Sequence, residues 1–208
     1  MSLTGYLDPA IHADDCLPLD SSHIEELVKY GDSLSVDLLF GVAERSSAEI
    51  FFVTQIHAST GKISGVYRKR HLADNEKAFT AGSDSYLGKV GGTTFGTAVC
   101  ADYEVSDEFV AASESGASIV FHSSAPGLYG ERRTDNASWL AGFDWWRSST
   151  IEKHSQRAKN LGIYIAMSTQ AGATADEDFP GWSALFNPDD EIVAELPDWQ
   201  AGNLIVEI

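Results

Sequence analysis

Cys100 closes the run FGTAVC (95–100), whose small, apolar and β-branched residues read as a buried strand, and the segment ADYE follows at once. A thiol at the tip of a strand, entering a helix, can face the sheet edge while amide N–H groups of the turn point toward it. Those dipoles, with a nearby cation, favour thiolate over thiol, and the thiolate is the nucleophile. Position alone leaves a second reading, because cysteines outside disulfides are among the most buried residue types and commonly only pack. A cysteine hydrolase also needs an acceptor for the thiol proton and positive charge for the developing oxyanion. His57, His71, His122 and His154 are acceptors by type, yet none stands in a recognisable cysteine-protease context. Lys69, near a strand end, and Glu76, in the following loop, offer another arrangement. A lysine and a carboxylate can orient each other beside a thiol without any histidine.

The elements that must position these groups follow from pattern. SSHIEELVKYGDSL places Ser22 three residues before Glu25, a capping-box spacing, with Ile24, Leu27, Val28 and Leu34 at helical intervals. A helix is expected from about Ser22 to Leu34. VDLLFGVAE and EIFFVTQIHA read as buried strands, and STG (59–61) turns the chain into a third, KISGVYRK. The loop HLADNEKAFTAGSD leads to KVGGTTFGTAVC, a glycine-bearing strand region ending on Cys100. SDEFVAASESG is expected as a short helix capped by Ser106 and stopped by Gly116, and ASIVFHSSAPG as the next strand. Strand, short helix, strand is a crossover unit whose natural site lies at the carboxyl end of its first strand. Residues 127–143 read as a loop or lid. A helix around WRSSTIEKHSQRAKN, the strand IYIAMSTQ and the strands WSALFNP, EIVAEL and NLIVEI complete a single mixed α/β domain over 1–208.

Composition narrows the partners. The chain has 208 residues, 43% of them hydrophobic, enough for a real core. With 31 acidic residues against 14 basic, its net charge of −17 repels phosphate backbones, so no nucleic acid partner is expected. No apolar run approaches the ~20 residues of a membrane span. The opening MSLTGYLDPAIHADD has neither a basic segment nor an apolar signal core, so no membrane partner and a cytoplasmic location are expected. Cys16 and Cys100 form no CxxC pair, which argues against a disulfide framework or a cysteine zinc site. GxSxG, P-loop, HExxH and EF-hand patterns are absent, and ADEDFPG (175–181) reads as a solvated turn; no metal and no cofactor are expected.

One stretch, GVYRKRHLADNEKAFTAG, resembles the nitrilase, or carbon–nitrogen hydrolase, superfamily. Tyr67, Arg68, Lys69, His71 and Leu72 match its Y-R-K-x-H-L strand end; Glu76, Lys77, Phe79 and Gly82 match its E-K-x-F-x-x-G loop. Cys100 with Asp102 matches its C-x-D nucleophile segment. LTGY (3–6), FGVAER (40–45), SGASIVFHSSAPG and FPGWSALFNPDDEIVAE extend the likeness over nearly the whole chain. Departures are Asn160-Leu161, where the family usually has Glu-Asn, and Ser106-Asp107-Glu108 in place of its proline-glutamate.

The resemblance implies a nitrilase-type four-layer α-β-β-α sandwich, associating as a homodimer or higher homo-oligomer. It implies hydrolysis of a small-molecule amide, carbamoyl compound or nitrile, with Cys100 forming a thioester. Lys69 would stabilise the tetrahedral species and the leaving nitrogen, and Glu76 would hold the geometry; Glu44 would be structural. The family's general-base glutamate corresponds to a position immediately before Met1. The first strand, first helix and second strand of the fold are likewise expected to be lacking. A proton acceptor contributes typically ~10²–10⁴-fold to rate, so weak catalysis is expected of this chain alone. Sheet edges left exposed are expected to favour association. Arg132, Arg133 and Trp139, in PGLYGERRTDNASWLAGFDWW, are candidates for substrate binding: arginines for a carboxylate, tryptophan for an apolar wall. The alternatives are a nitrilase proper, a non-catalytic nitrilase-like scaffold, and a histidine-assisted cysteine hydrolase.

Overall fold

Alternating apolar positions in three consecutive strands give each face of one sheet a different partner. In the computed structural model, which describes residues 1–105, 107–126, 135–173 and 178–208, β1 (Leu38–Arg45), β2 (Phe51–Ser59) and β3 (Lys62–Arg68) pair antiparallel in that order. Phe40, Val42, Ile56 and Ala58 turn toward Ile24 and Val28 of α2 (Ser22–Ser33). Ala43, Val53 and Tyr67, on the other face, pack with Cys16, Phe79 and Val99. The cap of α2 is Ser21, one residue earlier than the capping-box spacing predicts: its Oγ accepts from the Ile24 amide at 3.5 Å.

The region KVGGTTFGTAVC is a hairpin rather than one strand. β4 (Leu87–Val90) and β5 (Thr93–Val99) are joined by Gly91 and Gly92, whose φ values of 53° and 89° suit the two-residue turn that matches strand twist. β5 covers the second face of the three-stranded sheet. Phe95 meets the His57 ring edge-on at 5.0 Å, and Thr97 Oγ1 donates to Gln55 Oε1. The compact unit Met1–Ala112 is therefore layered helix, sheet, sheet.

The outer edge of β1 is not bare. Leu3 N–H donates to Gly41 O, while the Gly41 and Ala43 amides donate to Ser2 Oγ at 3.0 Å and Thr4 Oγ1 at 2.9 Å. Further along, Leu17 N–H donates to Ala43 O and Arg45 N–H to Leu17 O. Between these contacts lies α1 (Pro9–His12), capped by Asp8. After β5 the chain enters α3 (Asp107–Glu114); its expected cap, Ser106, lies outside the described residues.

The second unit, Ser113–Ile208, is built around a crossover. β6 (Ile119–Ser124) pairs parallel with β7 (Tyr164–Thr169), and α4 (Asn136–Leu161) connects them. β10 (Ala184–Phe186) and β11 (Ile192–Glu195) extend this sheet antiparallel, and β8 (Ala171–Ala173) pairs with β9 (Asp178–Pro180). α4 begins at Asn136, so residues 136–143 are helix rather than the expected loop. Asp135 Oδ1 accepts from the Ser138 amide at 3.2 Å, and Trp139, Phe143 and Trp146 bury one stripe at helical spacing. Gly162, at φ 65°, closes it. The terminal NLIVEI is irregular rather than a strand. Among the described residues no helix is long and apolar enough to cross a membrane.

Candidate active site

Strand β3 ends by driving a charged residue inward. The Lys69 amide donates to Val53 O at 2.8 Å, so the backbone holds strand pairing one residue past Arg68, and its side chain is fully buried. The loop that follows folds back on it. Thr80 N–H donates to Phe51 O at 2.7 Å, Gly82 N–H to Lys69 O at 2.8 Å, and Phe79 is buried in the core. Gly82 is dictated by this return, because a Cβ there would lie 2.1 Å from Arg68 O. Inside the loop, a turn from Ala73 points the Glu76 carboxylate at the lysine: Lys69 Nζ donates to Oε2 at 2.5 Å.

A buried ammonium and carboxylate are tolerable only together and with further hydrogen bonds. Glu76 Oε2 also accepts from the Ala73 amide at 2.7 Å, and Oε1 accepts from Tyr6 Oη at 3.4 Å. Both oxygens of Glu76 are thus engaged, Oε2 by Lys69 and the Ala73 amide and Oε1 by Tyr6. Glu44 plays a comparable part at the preceding residue. It takes Arg68 bidentately at 2.9 and 2.5 Å and accepts from Thr54 Oγ1 at 2.6 Å, while the guanidinium lies over Phe52.

Cys100 begins a 3-10 turn, Cys100–Tyr103, directly after β5. Its φ is 45°, in the left-handed region that costs a non-glycine residue on the order of 1–3 kcal/mol and clusters at functional positions. The side chain is half-buried, packs against the Tyr67–Phe79–Val99 cluster, and is joined by no disulfide to Cys16. Asp102, two residues on, is fully buried and accepts from Tyr67 Oη, the Val99 amide and the His71 amide. Burial pushes its carboxyl up, and those hydrogen bonds with the nearby Lys69 charge oppose that shift.

Cys100 packs against the cluster containing Tyr67 and Phe79, which stand two residues before Lys69 and three after Glu76. The Met1 amino group is held below its ordinary value, by burial foremost. It sits against β1 where Gly41 has no side chain; a Cβ there would lie 2.9 Å from Met1 N. Thr4, Tyr6, Leu7 and His12 line a cleft of about 560 Å³, whose lining includes none of Cys100, Lys69 and Glu76.

Of the four histidines, His71 lies beside Asp102, to whose Oδ1 its amide donates at 3.0 Å. His57 Nδ1 lies 2.8 Å from Tyr86 Oη, and His154 Nε2 lies 3.0 Å from His122 Nδ1 in the second unit. Trp139 is buried there, with its indole N–H donating to Asp178 O at 3.3 Å and its ring stacked on Phe143. Arg132 and Arg133 lie outside the described residues. Asp102 and Tyr6 enter the site without having been singled out for a role; the C-x-D and LTGY matches were the only signals for them.

The family model for carbon-nitrogen hydrolases matches residues 1–208. The chain belongs to the carbon–nitrogen hydrolase family. Three solved structures show where the fold of this carbon–nitrogen hydrolase recurs. The carbon-nitrogen hydrolase from Helicobacter pylori superposes with a TM-score of 0.72 at 20% identity, covering 84% of this chain and 64% of that one. A glutamate-to-glutamine mutant of the amidase from Nesterenkonia sp. AN1, with the acetamide moiety of fluoroacetamide covalently added at its active site cysteine, gives 0.67 at 22%, covering 85% and 62%. The glutamine-dependent NAD+ synthetase from Acinetobacter baumannii gives 0.68 at 17%, covering 89% of this chain but 34% of the other. The chain thus spans about a third to two thirds of these structures' own length. No curated protein matches the sequence.

Proposed function

We propose that this carbon–nitrogen hydrolase acts on a small non-peptide amide or carbamoyl compound, with Cys100 as the nucleophile. The observation that carries the reading is the buried Lys69–Glu76 ion pair together with a cysteine held at positive φ on a strand tip and packed against Tyr67 and Phe79, which flank that pair in sequence. In this reading Cys100 Sγ attacks the carbonyl carbon and Lys69 stabilises the oxyanion that develops. The C–N bond then breaks, the nitrogen leaves with the proton surrendered by the thiol, and a thioester remains. Water adds to that thioester, releasing a carboxylic acid and restoring the thiol. Glu76 holds Lys69 in place throughout. Arg132 and Arg133 are proposed to meet an anionic end of the substrate, and Trp139 an apolar one. The covalent adduct on the Nesterenkonia amidase's cysteine supports a thiol route for a relative of the same fold.

The test is mass spectrometry of the chain after exposure to a panel of simple amides, carbamoyl compounds, nitriles and fluoroacetamide. An adduct confined to the Cys100 peptide, formed with amides and lost in Cys100→Ala, is the expected result. Adducts with nitriles alone would make the protein a nitrilase. No adduct with any compound, together with a Cys100 that alkylates no faster than a simple thiol, would leave a binding scaffold and refute catalysis.

A further inference from the structure

We propose that Asp102 is a positioning residue: its carboxylate ties the strand end carrying Lys69 to the strand end carrying Cys100, and so sets the distance between ammonium and thiol. The inference rests on the hydrolase reading above and assigns a residue to which that reading gives no part.

The geometry is specific. Oδ2 accepts from Tyr67 Oη at 2.7 Å and from the Val99 amide at 2.8 Å, and Oδ1 accepts from the His71 amide at 3.0 Å. Tyr67 and His71 stand two residues before and two after Lys69; Val99 immediately precedes Cys100. One side chain therefore grips the end of β3 before the lysine, the loop after the lysine, and the end of β5 next to the nucleophile. The two strand ends belong to different sheets, and among the described residues no ladder of β-hydrogen bonds joins β3 to β5. The carboxylate supplies a cross-link that the sheets do not. It also closes the turn that holds Cys100 at φ 45°, since the Val99 amide and Asp102 belong to the same four-residue segment.

A carboxylate is the side chain this position needs, because every neighbour is a donor. Asparagine would keep the shape and lose the fit. With its oxygen toward Val99 and Tyr67, its NH₂ would face the His71 N–H, donor against donor. Turned over, the NH₂ would face the Val99 N–H instead. Either way one strand end is released. The buried carboxyl, pushed up by desolvation, is held by those same three donors and the Lys69 charge.

The experiment measures the second-order rate of Cys100 alkylation by iodoacetamide against pH, read at the Cys100 peptide. It compares the wild type with Asp102→Asn, Tyr67→Phe, Lys69→Met and the Lys69→Met/Asp102→Asn pair. Misplacing one reacting group by about 1 Å can cost on the order of a hundredfold, so Asp102→Asn is expected to slow alkylation near neutral pH by roughly ten- to a hundredfold. It should also move the pH midpoint upward, as the ammonium retreats from the thiolate. Tyr67→Phe, which removes one donor and is the gentler variant if Asp102→Asn does not fold, should shift both in the same direction by less. In the Lys69→Met background the Asp102→Asn effect should nearly vanish, because the two residues act through one another. A structural role alone would lower the melting temperature without moving the midpoint, or would slow both backgrounds equally; either result overturns the assignment. A wild-type Cys100 no more reactive than a simple thiol would instead refute the hydrolase reading, and this proposal with it.

Discussion

Replacing Glu76 by glutamine isolates what the ion pair contributes to the fold. Lys69 Nζ is buried, and its carboxylate partner is 2% exposed at 2.5 Å, so neither charge can turn to solvent when the other is removed. Breaking such a pair leaves a desolvated charge and costs ~3–5 kcal/mol, a large share of the ~5–15 kcal/mol that holds a typical domain folded. With a urea dependence of about 2 kcal/mol per molar, the midpoint should fall by roughly 2 M. Lys69→Met should cost a similar amount from the other side, although the Ala73 amide and Tyr6 hydroxyl still serve the stranded carboxylate. The Lys69→Met/Glu76→Gln double variant removes both charges, so its loss should fall short of the sum of the singles by on the order of 2 kcal/mol. The assay is urea unfolding followed by tryptophan fluorescence and circular dichroism on all four proteins. Losses that add to within about 0.5 kcal/mol would show that the two side chains do not depend on one another, which would refute the reasoning.

Gly82→Ala should destabilise the chain by about 2 kcal/mol or more, because the added methyl meets backbone at Arg68 O rather than a movable side chain; differential scanning calorimetry would record the drop. His154 provides a pH test in the second unit. Burial foremost, then His122, Arg157 and Lys153, hold its imidazole well below the ordinary value of 6.5. A depressed folded-state value means the contribution to stability is present above 6.5 and lost as pH falls from there toward the folded value, at about 1.4 kcal/mol per pH unit. Urea midpoints between pH 7.5 and 5.5 should fall accordingly, and His154→Gln should flatten that slope.

The sequence patterns served best where a rule is local. Apolar runs and the STG turn located β1, β2 and β3 to within a few residues, and the apolar positions from Ile24 to Val28 placed α2. Lys69 and Glu76 are seven residues apart, and their pairing needs only one loop to close. Asp102 was harder, since two of its donors lie 31 and 35 residues away and its spacing from Cys100 says nothing about what it holds. The start of α4 was hidden by composition: glycine, arginine and aspartate in residues 127–143 suggested a loop, while the Trp139–Phe143–Trp146 stripe that makes the helix pack shows only at its own period. NLIVEI has strand propensity, yet propensity acts through neighbours. Residues 201–208 form no strand, and Ile205 is 92% exposed.

The flank of β1 has a consequence for how the protein behaves in concentrated solution. Its outward amides at Gly41 and Ala43 are spoken for by hydroxyl groups rather than by another strand. A second copy drifting alongside would find those donors already satisfied by short polar side chains that offer no ladder to extend. Serine and threonine here act as a blunting device, occupying two outward amides at the edge of the sheet.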